Sequence, residues 1–270
     1  MENVPNVLMV FPEGKHKVLT MSYDDGVTAD KRLVNLFNEY GVKGTFHLNS
    51  GLAGRPGRLP LEEFAELYKG HEVAAHTMNH PTIARCSKEQ IVEEVAGDRK
   101  ALERAVGYPV RGFSYPNGSF NQQIKEMLPY LGIEYARTVN SHGDFRMPDD
   151  FLEWNPTCHH NGNLLELAEV FKKADKRQYV YMMYVWGHSY EFDQKENWDL
   201  IERFCQSIGG RDDIWYATNI DIVDYLKAYR LLRFSASMDI VYNPSYGSVW
   251  LDVGGKTVEA KGGCQTVLFS

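Results

Sequence analysis

Two short runs of this chain carry residue types that could do hydrolytic chemistry. One is His76-Thr77-Met78-Asn79-His80; the other is the pair Asp24-Asp25. Histidines four residues apart fall on one face of a helical turn, so both imidazoles can reach one divalent ion. An adjacent carboxylate pair can supply a third ligand, while its second member takes a proton from an attacking water. Two histidines, one carboxylate and an open position describe a catalytic rather than a structural metal site.

The elements that must position these residues follow from hydrophobic period and turn residues. Strands are expected over residues 17–22, 44–48, 72–75, 112–115, 135–138, 179–185 and 214–217. Helices are expected between them, over 31–40, 61–69, 87–106, 122–131, 163–173, 197–208 and 220–232. Ser87 and Gln90 read as a capping box, and Gly41, Gly70, Gly107 and Gly132 as helix stops. Such alternation implies a parallel sheet covered by helices. About seven units point to an α/β fold, a distorted or incomplete (β/α) barrel, with a doubly wound open sheet as its rival.

Asp24-Asp25-Gly26, His76 with His80, Pro116-Asn117-Gly118 and Trp186-Gly187-His188 each lie just past the C-terminal end of an expected strand. In a parallel barrel those ends share one face, and that face carries the active site. Taken singly, each cluster is more often a solvated turn, a helix cap or a packed histidine. Their common strand-end placement makes the metal-site reading the favourite.

Composition narrows the class. The chain has 270 residues, 43% hydrophobic and 24% charged, as in soluble globular proteins. Its formal charge of -7 argues against nucleic acid or an anionic membrane as partner. No signal peptide or transmembrane run is visible, so a cytoplasmic location is expected. Cys86, Cys158, Cys205 and Cys264 form no Cys-x-x-Cys pair and read as reduced thiols.

The motifs resemble those of the polysaccharide deacetylase family, the chitooligosaccharide-deacetylase-like (NodB-homology) domain. The resemblance runs from about residue 17 to about residue 232. Ser22-Tyr23-Asp24-Asp25-Gly26 is similar to the family's Thr-Phe-Asp-Asp-Gly, and His76–His80 fits its His-(Ser/Thr)-x-x-His in full. Tyr115-Pro116-Asn117-Gly118 matches its third-motif turn, and His188 its histidine after an apolar strand.

The resemblance implies Asp25, His76 and His80 as ligands of a divalent metal, Zn²⁺ before Co, Mn or Ni. It implies Asp24 as general base, the Asn117 N–H as oxyanion donor and His188 as general acid. The implied reaction is removal of acetyl groups from an N- or O-acetylated saccharide. An amide hydrolase acting on a small non-carbohydrate molecule, and a carbohydrate-binding protein without turnover, are the alternatives.

Departures from the pattern are specific. Ser114 stands where many members carry an arginine that orients the catalytic Asp, and Arg137 is the candidate replacement. The fourth motif is not clear, and Trp154 is its candidate. Tyr23, Tyr115, Trp154, Trp186 and Tyr190 could stack on a sugar face, with Arg137 and His160 as further substrate contacts. The run Cys158-His159-His160 is open between a loop, a second metal, substrate contact and a cysteine nucleophile. Residues 51–58 read as a rim loop.

Three segments are expected: 1–16 as a lead-in, 17–232 as the catalytic barrel, and 233–270 as a small β appendage packed on it. Gly254-Gly255 and Gly262-Gly263 read as its hairpin turns. Substrate identity and oligomeric state are not legible; a homo-oligomer is compatible with the sequence.

Overall fold

The computed structural model describes residues 5–269; the first four residues of the expected lead-in lie outside them. In chain order the strands are β1 (Val7–Val10), β2 (Lys17–Asp24), β3 (Gly44–Leu48), β4 (Glu72–Ala75), β5 (Gly112–Ser114), β6 (Tyr135–Arg137), β7 (Cys158–His159), β8 (Tyr181–Gly187) and β9 (Ile214–Tyr216). Five follow: β10 (Arg233–Phe234), β11 (Ile240–Tyr242), β12 (Val249–Val253), β13 (Lys256–Ala260) and β14 (Gln265–Val267). The helices are α1 (Asp30–Tyr40), α2 (Phe64–Leu67), α3 (Lys88–Val106), α4 (Gln122–Met127), α5 (Leu164–Lys173), α6 (Tyr190–Gln194), α7 (Trp198–Ile208) and α8 (Asn219–Arg230).

The main sheet runs β6-β5-β4-β3-β2-β8-β7, with every neighbouring pair parallel, and β9 joins the start of β2. This is the expected distorted (β/α) barrel rather than an open doubly wound sheet. β2 is its centre. All eight of its residues are buried, because it pairs with β8 along one edge and with β9 then β3 along the other. The gap between β6 and β7 is spanned by one irregular segment. Trp154 bridges to Arg137 on one side, and Cys158 pairs with Val185 on the other.

Local signals explain most helix ends. Gly41, Gly107 and Gly132 take the left-handed conformation that stops α1, α3 and the turn after α4. Ser87 caps α3 by accepting from Gln90 N at 3.2 Å. A reciprocal capping box is found instead at Thr218 and Asp221, opening α8.

Two three-stranded sheets lie outside the barrel, β1-β12-β13 and β10-β11-β14, and only β1 of their strands comes before it in the chain. β1, within the stretch expected only to lead in, pairs antiparallel with β12. Gly254-Gly255 makes the two-residue turn of the β12–β13 hairpin. Gly262-Gly263 is not a hairpin turn as expected: β13 and β14 belong to different sheets, so the chain crosses between them there. Val241, Val249 and Leu251 share one buried cluster with Val18, Tyr184 and Ile222 of the barrel. No helix among the described residues is long and apolar enough to cross a membrane.

Candidate metal centre

Asp24 is the last residue of β2, and Asp25 follows it in a left-handed conformation, φ 88°. His76 and His80 follow β4, Asn117 follows β5, and His188 follows β8. All six meet at one cavity of about 460 Å³, together with Tyr115, Trp186 and Tyr190.

The route to this convergence differs from the helical turn expected for residues 76–80. That segment is an irregular loop, in which Thr77 and His80 have φ of 66° and 57°. A loop rather than a helix brings the two rings together, with centroids 4.8 Å apart. Seven non-glycine residues among those described have positive φ, and Asp25, Thr77, His80 and Asn117 are four of them. Such backbone is disfavoured for side chains bearing a Cβ and persists where surrounding contacts over-determine it.

The donor set fits a metal ion. One ligand atom from each of Asp25, His76 and His80 lies within 4.8 Å of the others. Asp25 Oδ1 is buried with no hydrogen-bond partner, 3.8 Å from His80 Nε2 and 4.0 Å from His76 Nε2. Arg58 Nη1 lies 3.5 Å from the same oxygen but donates to the Asp25 backbone O instead, so the buried oxygen has a cation nearby and no hydrogen bond, a cost that a bound ion would relieve. The ring tautomer of His76 agrees. Its Nδ1 faces Ser114 O at 2.9 Å and Ser114 Oγ at 2.7 Å; the carbonyl can only accept, so Nδ1 is the donor and the Nε2 lone pair is left for an ion. Burial, against the pull of Asp24 and Asp25, lowers the His76 pKa to about 4, so the ring is neutral.

Asp24 is held differently. Burial alone would raise its pKa, but Arg137, then His76 and His47, outweigh this and hold the carboxyl well below the usual range. Arg137 reaches Asp24 directly from the end of β6 and stacks over Trp186 at 4.6 Å. The arginine missing at Ser114 is thus supplied one strand over, and Ser114 Oγ donates to Asp24 Oδ1 at 3.3 Å.

His188 Nδ1 donates to Glu191 Oε1 at 2.7 Å, which leaves Nε2 as its other ring nitrogen. Burial lowers its pKa, but the hydrogen bond to Glu191, with Asp24 and Asp25, raises it above the ordinary value. Glu191 was not singled out from the sequence. The available signal was its position three residues after His188 on one helical turn.

Glu191 also faces His159 Nε2 at 3.4 Å and His160 Nε2 at 3.1 Å. Burial pushes its pKa up, and the three imidazoles outweigh this to hold it far below the usual range. His159, His160 and Glu191 have metal-ligand spacing too. However, the Asn161 N–H points at His159 Nδ1 at 3.1 Å, so the ring proton sits on Nε2 and faces Glu191. That nitrogen is a donor, with no lone pair for an ion.

Four expected substrate contacts are corrected. Tyr23, Trp154, Arg137 and His160 are fully buried and do not line the cavity. Strand alternation turns Tyr23 away from its neighbour Asp24, toward Phe37 of α1 and His160. His160 stacks between Tyr23 and Phe192 of α6. Trp154 packs on Tyr135 and Tyr184 in the cluster shared with the appendage. Arg137 is taken up by Asp24. Cys158 is buried, and burial raises its thiol pKa to about 12, which removes the nucleophile reading.

Comparison with known proteins bears out the family resemblance. Residues 12–136 match the model described as polysaccharide deacetylase. Chitin deacetylase 1 of Cryptococcus neoformans is 27% identical over 115 residues, 42% of this chain and 24% of its own. The peptidoglycan-N-acetylglucosamine deacetylase PgdA of Listeria monocytogenes is 27% identical over 129 residues, 46% of this chain and 27% of its own. The matches therefore span about a quarter of the length of these relatives.

Two solved structures share the fold. A Mycobacterium smegmatis protein assigned as a polysaccharide deacetylase superposes with a TM-score of 0.64 at 17% identity, over 84% of this chain and 96% of that one. The Xyl-CE4 domain of a Trinervitermes trinervoides hindgut-metagenome xylanase gives 0.56 at 16% identity, over 79% and 92%. The family-model match includes Asp24, Asp25, His76, His80 and Asn117 but stops before Arg137, His188 and Glu191.

Proposed function

We propose that this chain is a metal-dependent hydrolase that removes acetyl groups from an N- or O-acetylated saccharide. The observation that carries the reading is the sharing of one cavity by three groups. These are a ligand set with an orphaned carboxylate oxygen, a second carboxylate kept ionised, and an imidazole backed by Glu191. The deacetylases matched in sequence support the substrate class.

Asp25, His76 and His80 hold the ion, with Zn²⁺ the best fit to two imidazoles and a carboxylate and Co²⁺, Mn²⁺ or Ni²⁺ able to substitute. When bound, such an ion supplies Lewis acidity, acidifying water and polarising a carbonyl oxygen. Asp24, fixed by Arg137, accepts the proton of the attacking water. The Asn117 N–H, on a turn at φ 57°, donates to the oxyanion. His188 donates from Nε2 to the leaving nitrogen or oxygen, and Glu191 holds its ring in that tautomer. Trp186 and Tyr190 wall the cavity and supply flat apolar faces for a sugar ring, while Tyr115, buried and stacked on Phe120, backs that wall. Residues 17–232 form the catalytic unit, and the C-terminal sheets pack on it as an appendage.

The test is acetate release from a panel of N- and O-acetylated sugars and oligomers, with Zn²⁺ and with chelator. Release is expected only with metal, and Asp24→Asn is expected to lower it by about 10²–10⁴-fold while metal is retained. Release unaffected by chelator, or undiminished in Asp24→Asn, sinks the mechanism. No release from any sugar by metal-loaded protein turns the reading to a small amide.

A further inference from the structure

The loop that carries both imidazoles does not support itself. Thr77 and His80 sit in left-handed backbone, and a free chain would leave that conformation. What holds it comes largely from α3, a helix that contributes no ligand.

Glu94 and Asp98 lie four residues apart on α3, on one face, and both are buried. Asp98 Oδ2 accepts from His76 N at 2.9 Å, a proton that Leu48 O shares at 3.0 Å. Asp98 Oδ1 accepts from Ser50 N at 2.8 Å. Glu94 Oε2 accepts from Asn79 N at 2.8 Å, Glu94 Oε1 from Asn79 Nδ2 at 2.9 Å, and Glu94 O from Met78 N at 3.1 Å. Three of the five residues from His76 to His80 therefore give their backbone N–H to this one helix.

The other side of the loop is fastened to residues 49–51. Asn49 Nδ2 donates to His76 O at 2.6 Å and to Thr77 O at 2.9 Å, and Gly51 N donates to Met78 O at 3.0 Å. Ser50 joins the two fastenings, because its own N–H ends on Asp98.

Two glycines mark how close these parts come. A Cβ on Gly97, between Glu94 and Asp98 in sequence, would lie 2.5 Å from Met78 Sδ. A Cβ on Gly51 would lie 2.8 Å from Met78 O. Glycine inside a helix is unfavourable by itself, and the approach of Met78 accounts for it at Gly97.

We propose that Asp98 and Glu94 are positioning residues for the metal centre: they hold the His76–His80 loop in the one backbone arrangement that aims both imidazoles at a single ion, and so set metal affinity. This rests on the reading that Asp25, His76 and His80 bind the ion. Groups of this kind, behind the ligands, typically change metal affinity by about 10–100-fold when removed.

The experiment is a Zn²⁺ titration of the metal-stripped protein against a chromophoric chelator. It compares wild type, Asp98→Ala, Asp98→Asn and Gly51→Ala, each first shown folded by circular dichroism. Asp98→Ala is expected to weaken Zn²⁺ binding by about 10–100-fold. Asp98→Asn keeps one acceptor oxygen and is expected to recover part of the loss. Gly51→Ala presses on the Met78 backbone from the other side and is expected to weaken binding with Asp98 intact. Wild-type affinity in the folded Asp98 variants overturns the proposal, even if their thermal stability falls, since that result describes an ordinary packing role. Should Asp98→Ala not fold, wild-type affinity in Asp98→Asn and Gly51→Ala overturns it equally. No Zn²⁺ uptake by wild type overturns the metal-centre reading and this inference with it, whereas equal uptake by wild type and variants overturns the inference alone.

Discussion

The rim of this barrel carries two groups of nearly the same composition. Asp25, His76 and His80 form one; Glu191, His159 and His160 form the other, and both have metal-ligand spacing. They differ in which ring nitrogen the backbone fixes on one histidine of each, His76 and His159. His76 Nδ1 faces a backbone carbonyl and must donate, so its Nε2 is free. His159 Nδ1 faces a backbone N–H and accepts, so its Nε2 carries the proton and faces Glu191 at 3.4 Å. Burial sharpens the contrast. Asp25 keeps a buried oxygen without a partner, while Glu191 is surrounded by three imidazoles and the Asn161 side chain. Asp25 Oδ1 has the Arg58 guanidinium 3.5 Å away but no hydrogen bond, whereas Glu191 accepts from His188 and from the Asn161 side chain. Residue type and spacing alone do not define a metal site; the backbone atom behind each ring decides which nitrogen is a ligand.

Metal stoichiometry gives the largest expected effect and the most direct way to break this comparison. Wild type is expected to take up one Zn²⁺ per chain by elemental analysis. His76→Ala is expected to lose it, and His159→Ala to keep it. Two ions per chain, or loss of the ion in His159→Ala, would show that the second group is also a metal site.

Next in size is the effect of Glu191 on the acid. His188 acts when protonated, and its pKa is raised with the help of Glu191. Activity is therefore lost as pH rises through that raised value. Glu191→Gln removes the carboxylate charge, so the alkaline limb of kcat/KM is expected to move to lower pH. The rate at the optimum is expected to fall by about 10–100-fold, part of the range typical of general acid catalysis. An unmoved limb would place the acid elsewhere.

The smallest effect concerns packing behind the second group. A Cβ on Gly187 would lie 2.1 Å from His160 Nδ1, and His160 is wedged between Tyr23 and Phe192. Gly187→Ala is expected to lower stability by about 1–3 kcal/mol, the usual cost of overpacking. Thermal denaturation with metal content measured alongside would check it. Stability should fall while Zn²⁺ stays bound, because the metal ligands lie on other strands.

Much of the fold was legible because strand–helix alternation and stop glycines are local signals. Every expected strand of the main sheet is present, and only the two-residue β7, too short for any periodic pattern, escaped. The convergence of Asp24, Asp25, His76, His80, Asn117 and His188 was legible for one reason: in a parallel sheet, a position just past a strand names a place in space. Side-chain direction was not legible. Tyr23 and Trp154 look like sugar platforms in sequence, yet pleat alternation and the packing of α1, α6 and the appendage bury them. The helical reading of residues 76–80 failed because contacts to α3 and residues 49–51 outweigh the local preference of the segment. Glu191 went unnoticed because an acidic residue in the first turn of a short helix is common for reasons unrelated to catalysis.

The sequence by itself determined which residue types stand at the ends of which strands, because hydrophobic period and turn chemistry act over a few residues at a time. Tertiary structure decided what those residues can do. It set Arg137 rather than a residue at position 114 against Asp24, turned His76 and His159 into opposite tautomers, and bent the ligand loop into left-handed backbone. Each of these depends on atoms brought together from distant parts of the chain, and no pattern of neighbouring residues encodes that.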